Sequence, residues 1–189
     1  MITVKTASIK AACGMAATKD VRYYLVGVQI LVRDDGAVHV RATDGTLAFD
    51  DLMPEKSAFA PANFIIPLEI AKLIAKSKAP MVEITIAPDG RFECVGQIFK
   101  PLDGKFPDCD RILPNRDRQF DTAVNQYDAE LLARCQTAMR IATGLRAFFK
   151  MQNSPVGLMH RENDTYPRCA VMPLRDRDFL HNQEPTPCA

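Results

Sequence analysis

The chain is poor in the features that would mark out several large classes of protein. No apolar run approaches the length of a membrane span, so a soluble protein is expected. The opening MITVKTASIK has no apolar core of the kind a secretory signal carries, which points to a cytoplasmic protein. Charge of one sign is not in excess: the net charge is +1 over 189 residues, so any anionic partner must meet basic groups gathered on one face. The six cysteines, Cys13, Cys94, Cys109, Cys135, Cys169 and Cys188, include no CxxC pair, and reduced thiols are expected. His39, His160 and His181 form no metal-type pair. There is no P-loop, no GxSxG and no Cys/His pairing, so neither an enzyme nor a cofactor or metal site is expected. Asp103, Asp108 and Asp110 lack the spacing of a calcium loop and read as structural acids in a turn.

What is present is a folded chain, 47% hydrophobic, with one pattern repeated three times. ITV at 2–4 reads as a strand and TASIKAACGMAATKD as a helix with Ile9, Ala12, Cys13 and Ala16 on one face. Strands follow at 23–32 and 37–43 around the DDG turn at 34–36, and another begins at 47. The second round is FIIP at 64–67, a helix LEIAKLIAKSK with Ile70, Leu73 and Ile74 inward, and strands at 81–87, 91–96 and 97–102. The third is FDTAV at 120–124, a helix YDAELLARCQTAMR with Leu131, Leu132, Cys135 and Met139 inward, and strands at 145–151, 155–161 and 168–174.

The helices carry bases on their polar sides, at Lys10, Lys19, Lys72, Lys76, Arg134 and Arg140. The acids, Asp50 and Asp51 among them, read as turn residues. A near-neutral chain can then present a basic helical face; the plainer reading is that these cations only solvate an exposed surface. The segment KPLDGKFPDCDRILP at 100–114 carries three prolines and six charges, so it can be neither a helix interior nor a central strand. It is either a linker or a shaped surface.

Four stretches occur in a suggestive order: DVRYYLVGV (20–28), VRATDGTLAF (40–49), PLDGKFPDCDRILP (101–114) and AVMPLR (170–175). Together they resemble the bacterial DNA-polymerase sliding clamp, the β clamp or DNA polymerase III β-subunit family, over residues 2–176 in a shortened form. The resemblance implies an α+β fold of β-α-β-β-β units with helices lining a ring and sheets outside. Residues 1–114 resemble the complete middle domain of a clamp subunit, 117–176 the second half of the last domain, and 177–189 a tail. Three units stand where a clamp subunit has six, so a ring of twelve implies a homotetramer, closed by head-to-tail contacts.

The resemblance further implies a processivity factor that encircles duplex DNA without reading sequence. Lys10, Lys19, Tyr23, Tyr24, Lys72, Lys76, Arg134 and Arg140 would lie toward the DNA, unless one tyrosine packs into the sheet instead. A hydrophobic pocket for polymerase or clamp-loader peptides would be walled by Leu25, Thr43, Gly45, Leu47, Pro107, Arg111, Ile112, Val171, Met172, Pro173 and Leu174. Thr46 replaces a His-Arg pair of the family's turn, Cys109 a frequent tyrosine and Val26 an asparagine. The alternative is an adaptor or decoy that forms no ring but binds replication proteins or clamp subunits.

Overall fold

The computed structural model describes residues 1–113, 127–145, 148–150, 156–159 and 166–172. The repeated pattern appears as β1 (Ile2–Lys5), α1 (Thr6–Met15), β2 (Gly27–Val32), β3 (Val38–Thr43) and β4 (Leu47–Leu52). The second unit is β5 (Ala62–Pro67), α2 (Leu68–Ile74), β6 (Met81–Ile86), β7 (Phe92–Cys94) and β8 (Gln97–Phe99). The third supplies α3 (Ala129–Thr143), β9 (Phe148–Lys150), β10 (Val156–Met159) and β11 (Arg168–Val171). The strand expected at 120–124 lies outside the described residues, as do Pro114, His160, Pro173, Leu174, His181 and Cys188. Among the described residues no helix is long and apolar enough to cross a membrane.

The first two units exchange their first strands. β1 pairs with β6 in a four-stranded sheet ordered β1-β6-β7-β8, while β5 pairs with β2. The larger sheet runs β5-β2-β3-β4-β11-β10-β9, so the third unit continues the sheet of the first through the antiparallel pair β4 and β11. Strand alternation gives this sheet two different faces. Val28, Ile30, Val40, Phe49, Ile66 and Cys169 turn to one side and share a single core with residues of all three helices. The three helices therefore cover one face of one sheet.

Four local readings are corrected. Tyr23–Leu25 forms a 3-10 turn rather than the start of a strand, with Val26 N–H donating to the Tyr23 carbonyl. α2 stops at Ile74, and its inward residues are Leu68, Ala71 and Ile74, whereas Leu73 is 42% exposed. Asp50 and Asp51 are fully buried β4 residues, not turn acids. Adjacent on the strand, they point to opposite faces: Asp51 accepts from the Ser8 hydroxyl of α1, and Asp50 faces away from the helices.

On that outer face residues 102–113 cross the sheet as a strap. Leu102 N–H donates to the Ile65 carbonyl. Phe106, Cys109 and Leu113 then pack on Ala48, Ile65 and Ala170. Gly27 makes the crossing possible: a Cβ there would lie 2.6 Å from Ile65 Cγ2 and 2.7 Å from the Ile66 carbonyl oxygen. Beside this apolar strip runs a buried ionic cluster. Asp50 accepts from Arg41 Nη2 at 3.2 Å and from Arg168 Nη2 at 2.6 Å, and contacts His39 Nδ1 at 2.9 Å. Asp110 of the strap accepts from Arg33 Nη2 at 2.7 Å, Arg41 Nη2 at 2.8 Å and Arg168 Nη2 at 3.3 Å. Arg33 Nε can only donate, and its partner is His39 Nε2 at 3.2 Å; His39 therefore carries its proton on Nδ1 and donates it to Asp50.

Burial alone would raise the Asp50 carboxyl, but the His39 hydrogen bond and the charges of Arg41 and Arg168 hold it well below the ordinary carboxylate range. Asp110 is lowered against the same desolvation by Arg41 and Arg33. Asp51 goes the other way, because burial outweighs its bond from Ser8. A depressed carboxyl stabilises the fold above its unfolded value of about 4 and loses that contribution as pH falls toward the folded value. Protonating Asp51 relieves a cost, so it partly offsets the loss.

Two outcomes follow from this geometry. Asp50→Asn leaves two buried guanidinium groups under-compensated; it is expected to cost about 3–5 kcal/mol at pH 7 in urea titrations, with a shallower stability loss below pH about 4 than the parent. Gly27→Ala is expected to cost roughly 1–3 kcal/mol through overpacking, read as a fall in urea midpoint at unchanged slope.

Candidate nucleic-acid and peptide interfaces

The helix-covered side carries the expected cations unequally. Lys10 on α1, Lys72 on α2 and Lys76 just beyond it are exposed, as is Lys19 in the loop after α1. Arg140 is exposed in the last turn of α3, where a cation also suits the helix dipole. The same side holds Glu69 and Glu130, both in first turns, where the dipole accommodates acid. Arg134 is engaged differently: its Nη1 donates to Asp44 Oδ2 at 2.8 Å and its Nη2 to the Gly14 carbonyl at 3.1 Å. It ties α3 to the turn before β4 and to α1. Tyr23 is 53% exposed, while Tyr24 packs beneath the strap, where a Cβ on Gly104 would lie 3.0 Å from Tyr24 Cβ.

The turn before β4 is built by its own side chains. Asp44 Oδ1 accepts from Thr46 N–H at 2.9 Å, Thr46 Oγ1 at 2.7 Å and Leu47 N–H at 3.0 Å. Thr43 Oγ1 donates to the Leu47 carbonyl at 2.6 Å and accepts from Gly45 N–H. Gly45 has φ +95, and the Arg22 guanidinium lies where its side chain would be, 2.8 Å from the Cβ position. The positive φ is what needs glycine here; the Arg22 tip could move aside for a side chain. Arg22 is itself held by two bonds to the Asp20 carboxylate. The loop before β2 and the turn before β4 thus form one rigid corner.

β11 meets that corner. Met172 N–H donates to the Thr46 carbonyl at 2.8 Å, and Val171 faces Leu47 in register. Thr43, Gly45, Leu47, Val171 and Met172 are therefore brought together along the β4–β11 seam, with Ile112 against Ala48 and Ala170 in the adjoining cluster. Their roles differ. Leu47 and Val171 turn inward to the core shared with the helices, and Leu25 is fully buried. Gly45, Arg111, Pro107 and Met172 are exposed, Met172 to 40%, and Ile112 is half-buried. The apolar patch beneath the strap comes from Ala48 and Ala170, one residue along each strand, with Tyr24, and Phe106 of the strap packs on it. Sequence reasoning left out Ala48, Ala170 and Phe106, and placed Tyr24 toward the DNA unless it packed into the sheet. The signal was present in strand alternation: if Leu47 and Val171 face the helices, Ala48 and Ala170 cannot.

The acids of the strap serve the fold. Asp103 accepts from Gly104 N–H, Asp108 from Asp110 N–H, and Asp110 joins the arginine cluster. Among the described residues no group of three or more His, Cys, Asp or Glu is placed to hold a metal ion. Burial raises the Cys13 and Cys94 thiols to about 11 and the Cys109 thiol to about 12, so they stay protonated at neutral pH.

No protein-family model matches the chain. Curated beta sliding clamps from two strains of Caulobacter vibrioides are each 29% identical to it over 131 residues, 64% of this chain. That match spans only 35% of each relative's length. Solved structures of the DNA polymerase III subunit beta from Pseudomonas aeruginosa and of the DNA polymerase beta subunit from Streptococcus pyogenes superpose with TM-scores of 0.71 and 0.69. Each match covers 92% of this chain and 65% of the solved one, at 16% and 13% identity respectively. The chain thus resembles the bacterial beta sliding clamps in sequence and has their fold in part, built from β-α-β-β-β units.

Proposed function

We propose that the protein is a sliding-clamp-type processivity factor, which holds duplex DNA against its helical face and tethers replication proteins through the seam between β4 and β11. The observation that carries this reading is the placement of α1, α2 and α3 on one face of a single sheet, with Lys10, Lys72, Lys76 and Arg140 left exposed. Cations on long stems, with no planar reader fixed among them, suit loose contact with phosphates and sliding without base recognition. Arg134, Tyr24 and Leu47 support the scaffold in this reading, and the exposed cations do the binding.

Each copy brings three units, so four copies supply the twelve of a clamp ring. The strand exchange favours a particular symmetry. β2–β4 take up β5 from the second unit, and β6–β8 take up β1 from the first. By the same rule β9–β11 would be completed by the third unit of another copy, a two-fold contact in place of the head-to-tail one expected from the sequence. The edge of β8, which pairs with no further strand among the described residues, would then provide the second kind of contact. For partners, the half-buried Ile112 and exposed Met172 offer apolar surface near the seam, and Met accommodates varied peptides.

The test is retention on DNA circles. The protein is expected to sediment at four times the chain mass, to stay on circular duplex assembled with it, and to be lost on linearisation. Lys10→Glu with Lys72→Glu should weaken binding uniformly across sequences and lower the salt slope by about 1 for each phosphate that is no longer neutralised. A monomer whose DNA binding ignores topology and both substitutions would overturn the proposal.

A further inference from the structure

A second recess lies on the outer face of the seven-stranded sheet, toward the β2–β3 hairpin, between the strap and the β5 edge. It is a groove of about 740 Å³. Gln29 rises into it from β2 and is only 4% exposed. Its Nε2 donates to Asn63 Oδ1 at 2.8 Å, yet its Oε1, buried against the groove, has no partner. A buried amide carbonyl without a donor is costly, and because Gln29 lines the groove, a small turn of its side chain would bring Oε1 to a donor seated there.

The charge lining this groove is uneven. Arg33 and Arg41 are its two cations, and both are already committed to the Asp50–Asp110 cluster. Asp34, Asp35 and Asp108 remain on the rim. Asp35 accepts from Ala37 N–H and Asp108 from Asp110 N–H, but their charges meet only the distant tips of Lys56 at 3.6 Å and Arg111 at 3.9 Å, in pairs that are largely exposed. Such pairs exchange readily for a better-placed cation. Phe106 and Pro107 form an apolar wall opposite.

The strand edge indicates the shape of the occupant. Ile65 turns its carbonyl outward to accept from Leu102 N–H. Asn63, two residues earlier and of the same parity, turns its backbone donor and acceptor to the same edge. An extended backbone laid there could pair with Asn63 while covering Gln29.

We propose that this groove binds an extended peptide segment of a partner protein that carries arginine, one peptide N–H donating to Gln29 Oε1 and the guanidinium reaching the Asp34–Asp108 rim. The site is separate from the β4–β11 seam and does not depend on DNA or on ring closure.

The probe is a fluorescein-labelled hexapeptide, Ala-Arg-Val-Arg-Leu-Ala, blocked at both ends, titrated with the full chain at low salt and read by anisotropy. Saturable binding is expected, about tenfold weaker for the citrulline counterpart, which keeps shape and removes charge. The double substitution Asp34→Asn with Asp108→Asn removes two rim charges while leaving an amide oxygen to accept from Asp110 N–H, and should weaken binding by about tenfold as well. Gln29→Leu should do the same, and because it also removes the unpaired carbonyl it should not lower the thermal melt by more than the lost Asn63 bond accounts for. Met172→Ala should leave this binding intact, so failure of the seam as a peptide site is distinguishable from failure of the groove. No saturation at millimolar protein, equal affinity for the citrulline peptide, indifference to the acid substitutions, or abolition of binding by Met172→Ala would each overturn the proposal.

Discussion

The structure depends on the ionic joint centred on Asp50. One buried carboxylate on β4 meets Arg41 from β3 and Arg168 from β11, and Asp110 of the strap closes the cluster from above. β11 is a short strand arriving from a sequence separation of more than a hundred residues. Loop-closure entropy opposes that pairing, and four residue pairs of ladder are a modest return. The joint adds charge-assisted bonds that hold only in the native register, since a one-residue slip would move Arg168 to the helix face. Because the pair is fully buried, breaking one partner costs more than the intact arrangement contributes.

What the joint accomplishes is to make one surface out of separate units. With β11 fixed beside β4, α3 lies next to α1 on the same side of the sheet, and Arg134 secures it through Asp44 and Gly14. Exposed cations from successive helices then face a common direction. The opposite side becomes the place where the strap crosses, apolar under Phe106 and Leu113 and ionic under Asp110. A chain of net charge +1 can present two different faces in this way, one with exposed helix cations and one where arginines and aspartates neutralise each other beneath the strap.

The repeat was legible in the sequence because each round has a helical apolar pattern and strand runs separated by Gly or Asp turns. DDG at 34–36 and Pro88-Asp89-Gly90 are found as turns. Tertiary relations were not legible. Asp50 and Asp51 look like surface acids, since nothing local shows that Arg168 and Ser8 will meet them. Tyr23 and Tyr24 satisfy β-propensity, but Leu25 N–H bonds back to Arg22 and winds the segment into a turn. Arg134 has the look of a free cation until Asp44 is placed beside it. Of the seam, the motif residues lie on β4 and β11, while alternation turns Leu47 and Val171 to the helices and Ala48 and Ala170 to the strap. The unpaired Gln29 Oε1 could not have been found without coordinates, because its neighbour Asn63 comes from another unit.

Native-state hydrogen exchange across the seam tests the account most directly. If the Asp50 joint makes the units one cooperative sheet, the amides of Arg168–Val171 and those of β4 should exchange with the same opening free energy and the same denaturant dependence, and Asp110→Asn should lower both together. Exchange of β11 through its own low-energy opening, with β4 protection unaffected by Asp110→Asn, would contradict it.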